Sequence, residues 1–237
     1  MALHRAWGLP AALTPEVVLP LGRYLRGVHG VRVRRFNSPM RTVLIGGRRV
    51  ADPVTALIQA LPEWDRDTAI AVLDSALNRG LISLPDLREI REGVRGRRGA
   101  AKMHKWWEMV NPLAESPLET RARLQCLDAG LPEPHLQARI RNPAGVVIAR
   151  GDLGWQRPDG SWVLVELDGS EVHSRPEAVF HDRRRQNEIA MSGPHTLLRF
   201  TGQDVSRGQV APTVLAALRR PASFPMPNAT LDTGSAS

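Results

Sequence analysis

The segment from Val146 to Gly169, VVIARGDLGWQRPDGSWVLVELDG, constrains this chain more than any other. Two runs rich in β-branched and aromatic residues flank QRPDG, a turn signal, so the segment reads as two antiparallel strands joined by a tight loop. Side chains alternate along a strand, which puts Leu164, Glu166 and Asp168 on one face and Val163, Val165 and Leu167 on the other. The length of the loop then decides what faces Glu166. A three-residue loop, Pro158-Asp159-Gly160 with Gly160 left-handed, sets Asp152 opposite Glu166; a two-residue Asp159-Gly160 loop shifts the register by one and turns Asp152 away.

With the longer loop, three carboxylates converge. Clustered carboxylates repel unless one is protonated or a cation sits among them, and hard oxygen ligands suit Mg²⁺ or Mn²⁺. Such an ion polarises a phosphoryl oxygen and lowers the pKa of a bound water. Gly169 lets the strand turn sharply, bringing His173 back as a proton carrier or phosphate donor. Arg183, Arg184 and Arg185 follow, spaced to hold a phosphate backbone or to form a solvated helix face. Asp152 and Asp168 also suit Asx turns, the bland alternative. Glu119 is a further candidate ligand, but it lies three residues after Ser116 in SPLE, a capping box that already explains it.

The balance of charge points the same way. The formal net charge is +8, and nearly all the basic residues are arginine. Between Met1 and Val50 stand nine arginines and a single acid, Glu16, a one-sided patch that attracts a polyanion. A second basic run, RGRRGAAKMHKWW, carries Arg97, Arg98, Lys102 and Lys105 as candidate nucleic-acid contacts, with Trp106 and Trp107 either stacking on bases or joining the core of a second domain. One cysteine, Cys126, excludes an internal disulfide and a multi-cysteine zinc site, reads as a buried thiol, and suits a reducing cytoplasm. No apolar run reaches the roughly 18 residues of a membrane span, and the N-terminus lacks a signal-peptide pattern. P-loop, zinc-protease, nucleophile-elbow and dinucleotide signatures are absent.

The patterning predicts two domains of mixed α/β class. Residues 1–94 form an α+β module: strands in EVVLPLG and VRVRRF, a third strand TVLIGGRRV, a helix capped by Asp52 with Pro53 at its first position, and a helix with Ala69, Val72, Leu73, Ala76 and Leu77 on one stripe. Residues 95–115 form a basic linker and helix. Residues 116–220 carry a helix, three strands, a long helix from about 176 to 191, the strand TLLRF and a last helix around VAPTVLAALRR. Residues 221–237 have the composition of a disordered tail.

From SPLETRARLQCLDAGLPEP through GDLGW and VELDGSEVH to DRRRQNEIAMSGPHTLLRFTGQDV, the C-terminal half resembles a bacterial endonuclease-domain family related to the very-short-patch mismatch-repair endonuclease, within the PD-(D/E)XK nucleases. The resemblance implies a restriction-endonuclease-like α-β-β-β-α-β core, a Mg²⁺ or Mn²⁺ cofactor, and DNA hydrolysis. It makes Asp152 the first metal-binding acid and Glu166 the acid of the second motif. Asp168 stands where many such nucleases carry lysine, and His173 matches the histidine after the glycine. Mismatch recognition is not carried over, because the structural zinc of that enzyme needs more than one cysteine. The N-terminal half is similar to proteins that begin with a winged-helix domain like that of type IV abortive-infection antitoxins. ALHRAWGLP matches the end of that unit, so a complete DNA-reading helix is expected to be missing. The expected partner is double-stranded DNA, with no membrane and with a homodimer left open; the alternative is a catalytically inactive, antitoxin-like nucleic-acid-binding regulator.

Overall fold

The computed structural model describes residues 1–19, 23, 29–35, 40–141, 144–169 and 193–220. Contacts gather into two units, Met1–Arg121 and Ala122–Ser237. Both mix helix and strand, and the second is built on a four-stranded sheet.

In the first unit β1 (Glu16–Leu19) pairs in parallel with β2 (Arg32–Arg35), while β3 (Thr42–Ile45) and β4 (Arg48–Ala51) form an antiparallel hairpin. TVLIGGRRV is therefore two strands and not the single one expected. Gly46 and Gly47 have φ of 56° and 74°, the left-handed pair that a two-residue hairpin turn demands. Helix α1 (Pro53–Ala60) starts as anticipated: the Thr55 amide donates to the Asp52 carboxylate at 2.7 Å, and Pro53 occupies the first position. Helices α2 (Arg66–Asn78) and α3 (Leu84–Gly93) complete the unit. The expected α2 stripe is buried at Ala69, Val72, Leu73 and Ala76, and it packs with Leu57, Leu61 and Ile90 into one core.

Residues 95–115 belong to that core rather than to a linker. They fold into two 3₁₀ turns, Ala100–Met103 and Trp106–Met109. Met103 is buried, and Trp106 and Trp107 pack half-buried against the first unit's cluster, not in the second domain. Asp74 ties the following segment down. Its buried carboxylate accepts the Asn111 amide at 2.7 Å and the Thr120 hydroxyl at 2.9 Å.

Helix α4 (Pro117–Asp128) spans the division between the units and leads into β5 (His135–Arg141), β6 (Val147–Gln156), β7 (Trp162–Asp168) and β8 (Thr196–Thr201). The sheet order is β5-β6-β7-β8, with the first two pairings antiparallel and β7–β8 parallel. A parallel pair needs a crossover of a dozen or more residues, which the span between Asp168 and Thr196 supplies. The long helix expected at 176–191 and the tail 221–237 lie outside the described residues. Two helices, Gly202–Ser206 and Val210–Arg219, close the second unit. Arg157 joins hairpin, strand and helix: its buried guanidinium donates to Ser161 Oγ at 3.0 Å, Thr196 Oγ1 at 3.0 Å and the Ala217 carbonyl at 2.8 Å. Among the described residues no helix is long and apolar enough to cross a membrane.

Candidate acidic site on the central hairpin

The hairpin takes the longer of the two loops. The Arg157 amide donates to the Ser161 carbonyl at 2.7 Å, the Gly160 amide returns to the Arg157 carbonyl at 2.9 Å, and Gly160 has φ 83°. Pro158, Asp159 and Gly160 are thus the turn. Asp159 steadies it by accepting the Ser161 amide at 2.9 Å, and its bonds to Ser161 hold its pKa below the ordinary aspartate value.

This turn sets the register Gln156↔Trp162 through Leu153↔Val165. The next step along it brings Asp152 opposite Glu166, as the three-residue loop requires. Asp152 does not continue the backbone ladder there. Its carboxylate instead accepts the Leu167 amide at 2.7 Å, an interaction that aims the acid across towards β7.

The strands on either side are distorted at the same level. Leu136↔Leu153 and Ala138↔Gly151 flank Gln137, which therefore faces Asp152 and has φ 54°. A left-handed glutamine within a strand stores about 1–3 kcal/mol of strain. A Cβ on Gly151 or on Gly154 would in each case lie 3.0 Å from the Leu164 side chain, although residues three apart on a regular strand face opposite ways. The strand β6 turns over between them, with Asp152 in the turnover. The Gln137 side chain meanwhile accepts Arg150 Nε at 2.8 Å.

Glu166 is half-buried and paired. Its register partner on β8 is Arg199, whose Nε donates to Glu166 Oε2 at 2.9 Å. Asp168 is exposed at the end of β7 opposite Thr201. The hairpin therefore sets Asp152 at the level of Glu166 and leaves Asp168 at the rim. Among the described residues no group of three His, Cys, Asp or Glu side chains is placed to hold a metal ion. Two carboxylates remain a suitable donor set for Mg²⁺, which keeps several waters and is commonly held through one or two acids plus substrate phosphate.

The other expected residues fall elsewhere. Glu119 is buried in the first unit, where its carboxylate accepts the Glu115 amide at 2.8 Å and its own amide donates to Ser116 Oγ at 3.2 Å, the helix-capping role. Arg98 and Lys105 are exposed and Arg97 is half-exposed. Lys102 donates to the Trp64 carbonyl at 2.7 Å and lies 5.5 Å from the Trp106 ring. His173, Arg183, Arg184 and Arg185 lie outside the described residues. Among the described residues, N-terminal arginines meet acids: Arg34 binds Glu16 at 2.6 Å and Glu63 at 2.7 Å, Arg32 binds Glu63 at 2.7 Å, and Arg41 binds Asp52 at 3.0 Å and Glu89 at 2.8 Å. The hydrogen bond from Arg34 holds the Glu63 carboxyl below its ordinary pKa, and Arg34 is itself pushed further up. Cys126 is the buried thiol expected, its pKa raised by burial to about 12.

Arg199 was not anticipated. Its signal was present, as the one charged residue inside the apolar run TLLRF on a strand destined to lie beside the acidic one.

Fold and site together define a mixed α/β protein with an acid pair at a strand irregularity of its four-stranded sheet. No protein-family profile matches the chain. It is similar to two proteins of Mycobacterium tuberculosis, strains CDC 1551 / Oshkosh and ATCC 25618 / H37Rv, each described as uncharacterized and each 29% identical over 178 residues. The match covers 74% of this chain and 64% of the relatives' length, so the chain spans less than two thirds of each. No solved structure matches.

Proposed function

We propose that the chain is a metal-dependent DNA endonuclease that hydrolyses phosphodiester bonds, with a restriction-endonuclease-like core of the PD-(D/E)XK type in its second unit. The observation that carries the reading is the placement of the Asp152 carboxylate on the Leu167 amide, at the Glu166 level of the sheet, by a hairpin turn of the required length. The order α4, β5, β6, β7, β8, with β7 and β8 parallel, is compatible with that core.

Asp152 and Glu166 would hold Mg²⁺ or Mn²⁺. A bound ion would polarise the phosphoryl oxygen and lower the pKa of a coordinated water. The residues of the chain do the positioning. The Leu167 amide, donating at 2.7 Å, fixes the direction of the Asp152 carboxylate. Arg199 neutralises Glu166 and brings a donor fork suited to a phosphate oxygen within reach of the same acid. Asp168 at the rim would be the outer acid of the metal set; on the sequence reading His173 would carry a proton or donate to a phosphate, and Arg183 to Arg185 would hold the DNA backbone. Glu119 is left out of this set because its capping contact already accounts for it. The site of action is a reducing cytoplasm, in keeping with one buried thiol.

A second reading, a nucleic-acid-binding regulator without catalysis, draws on the Glu166–Arg199 ion pair, which compensates the acid without any metal. Nicking of supercoiled plasmid separates the two. The endonuclease reading expects Mg²⁺- or Mn²⁺-dependent nicking that Asp152→Asn abolishes. Retarded migration of plasmid with no nicking under either metal, unchanged in Asp152→Asn, would leave the regulator.

A further inference from the structure

The first unit contains a cleft that the acidic site does not use. Its volume is about 440 Å³, within the range of small-ligand sites, and Arg91, Arg95, Arg97, His104 and Trp107 line it with the backbone of Gly96. None of its described lining residues is acidic. Local sequence shapes it. Arg91 stands in the last turn of α3, and Val94, which caps the helix after Gly93, is buried and anchors the loop that follows. Gly96 and Gly99 turn that loop with φ of 74° and 89°, and a Cβ on Gly99 would lie 2.4 Å from the Pro62 carbonyl oxygen, so the loop lies tight against the core. The Arg97 amide donates back to the Val94 carbonyl at 3.1 Å. Arg95 pairs with Glu92 at 2.6 Å, which leaves Arg91 and Arg97 as the cations facing the cleft without a described acidic partner.

We infer that this cleft binds a nucleotide of single-stranded nucleic acid, with Arg91 and Arg97 on the phosphates and Trp107 beneath the base. The charge of the lining selects an anion, and guanidinium forks select phosphate among anions. The aromatic residue selects a ligand that also presents a flat face. Trp107 is held by the core on one side and open to the cleft on the other, so it offers stacking surface with little loss of conformational freedom. Inside a duplex both faces of a base are covered by its stacked neighbours, and this distinguishes the site from a duplex-backbone contact. The inference stands apart from the cleavage reading.

The test uses the full chain in EDTA, where no metal-dependent cleavage proceeds, so the two proposals fail separately. Binding of fluorescein-labelled decathymidylate is followed by anisotropy against salt concentration. Each phosphate contact contributes about 0.7 to the slope of log affinity against log salt for a single strand, so Arg91→Ala/Arg97→Ala lowers that slope by about 1.4. If both proteins converge at about 1 M salt, the difference grows to roughly 60-fold at about 50 mM. The charge-matched Arg219→Ala/Arg220→Ala protein keeps the wild-type slope. A 5-iodouracil substitution in the same strand crosslinks to the peptide holding Trp107, a readout that needs no variant. Equal slopes for the two double variants, equal affinity for a duplex of the same length, or crosslinks confined to other peptides would overturn the inference.

Discussion

The turnover of β6 beside Asp152 depends on glycine at position 154, and replacing it is the sharpest stability test of the site's scaffold. A Cβ added there would sit 2.5 Å from the Ala138 Cβ, 3.0 Å from Leu164 Cδ2 and 3.3 Å from Trp162 Cε3. Carbon atoms prefer about 3.5–4.0 Å, so the first contact is short by about 1 Å, and it involves a Cβ that can move only with its backbone. Overpacking of this kind costs about 1–3 kcal/mol, offset by the roughly 0.5–1 kcal/mol gained when a strand glycine is removed. Gly154→Ala is therefore expected to lose about 1–2 kcal/mol, or about 0.5–1 M in a urea midpoint at a slope near 2 kcal/mol/M. In an Ala138→Gly background the closest obstacle is gone and the same change should cost about zero, a coupling of about 1–2 kcal/mol. Urea unfolding of the four proteins, followed by circular dichroism and tryptophan fluorescence, measures the cycle. A Gly154→Ala cost that is unaltered by Ala138→Gly would refute this close packing of β6 against β5.

Asp74→Ala strips partners from the half-buried Asn111 amide and the buried Thr120 hydroxyl, and should lower stability by about 2–4 kcal/mol, read from the same unfolding curves; a loss below about 1 kcal/mol would contradict that anchoring role. With its pKa raised to about 12, Cys126 is thiolate in only about one molecule in ten thousand at pH 8, so iodoacetamide should label it in urea and leave it unlabelled in the native protein. Glu63 has a folded pKa below its unfolded value, so its contribution is present above the ordinary range near about 4.3 and is lost as pH falls through the lower folded value. Glu63→Gln should flatten the acid limb of the stability profile, and an unchanged acid limb would rule that pairing out.

Local rules made much of the scaffold legible. Asp52 and Pro53 announce a helix start, Ala69 to Ala76 announce a buried stripe, and Pro158-Asp159-Gly160 narrow the hairpin to two registers, of which the structure takes the one with the longer loop. What escaped depended on residues distant in sequence. The N-terminal arginines look unopposed within their own fifty residues, yet Glu63 and Glu89 come from beyond that window to meet them. The run from Arg95 to Trp107 has the composition of a linker, and its place in the first core follows from Met103 and from Gly99, whose tight approach only the packed neighbour Pro62 explains. At the site, the pairing of Asp152 with the Glu166 level hung on the loop length, and alternation treated both strands as regular. The left-handed Gln137 and the acceptance of the Leu167 amide by Asp152 carry no signature in composition or period. Arg199 was visible as a charge in an apolar strand, but its role depended on the order β7-β8, which is a tertiary fact.

Mn²⁺ binding watched by electron paramagnetic resonance tests the central proposal without reference to turnover. Asparagine at 152 still accepts the Leu167 amide while losing the charge, so Asp152→Asn isolates ligation from folding. The account predicts one tightly bound ion in the wild type, its signal unchanged by Glu119→Gln and lost in Asp152→Asn and in Glu166→Gln. An ion bound equally well by those last two proteins, or a wild type that leaves all the Mn²⁺ in the free hexaaquo form, would contradict it.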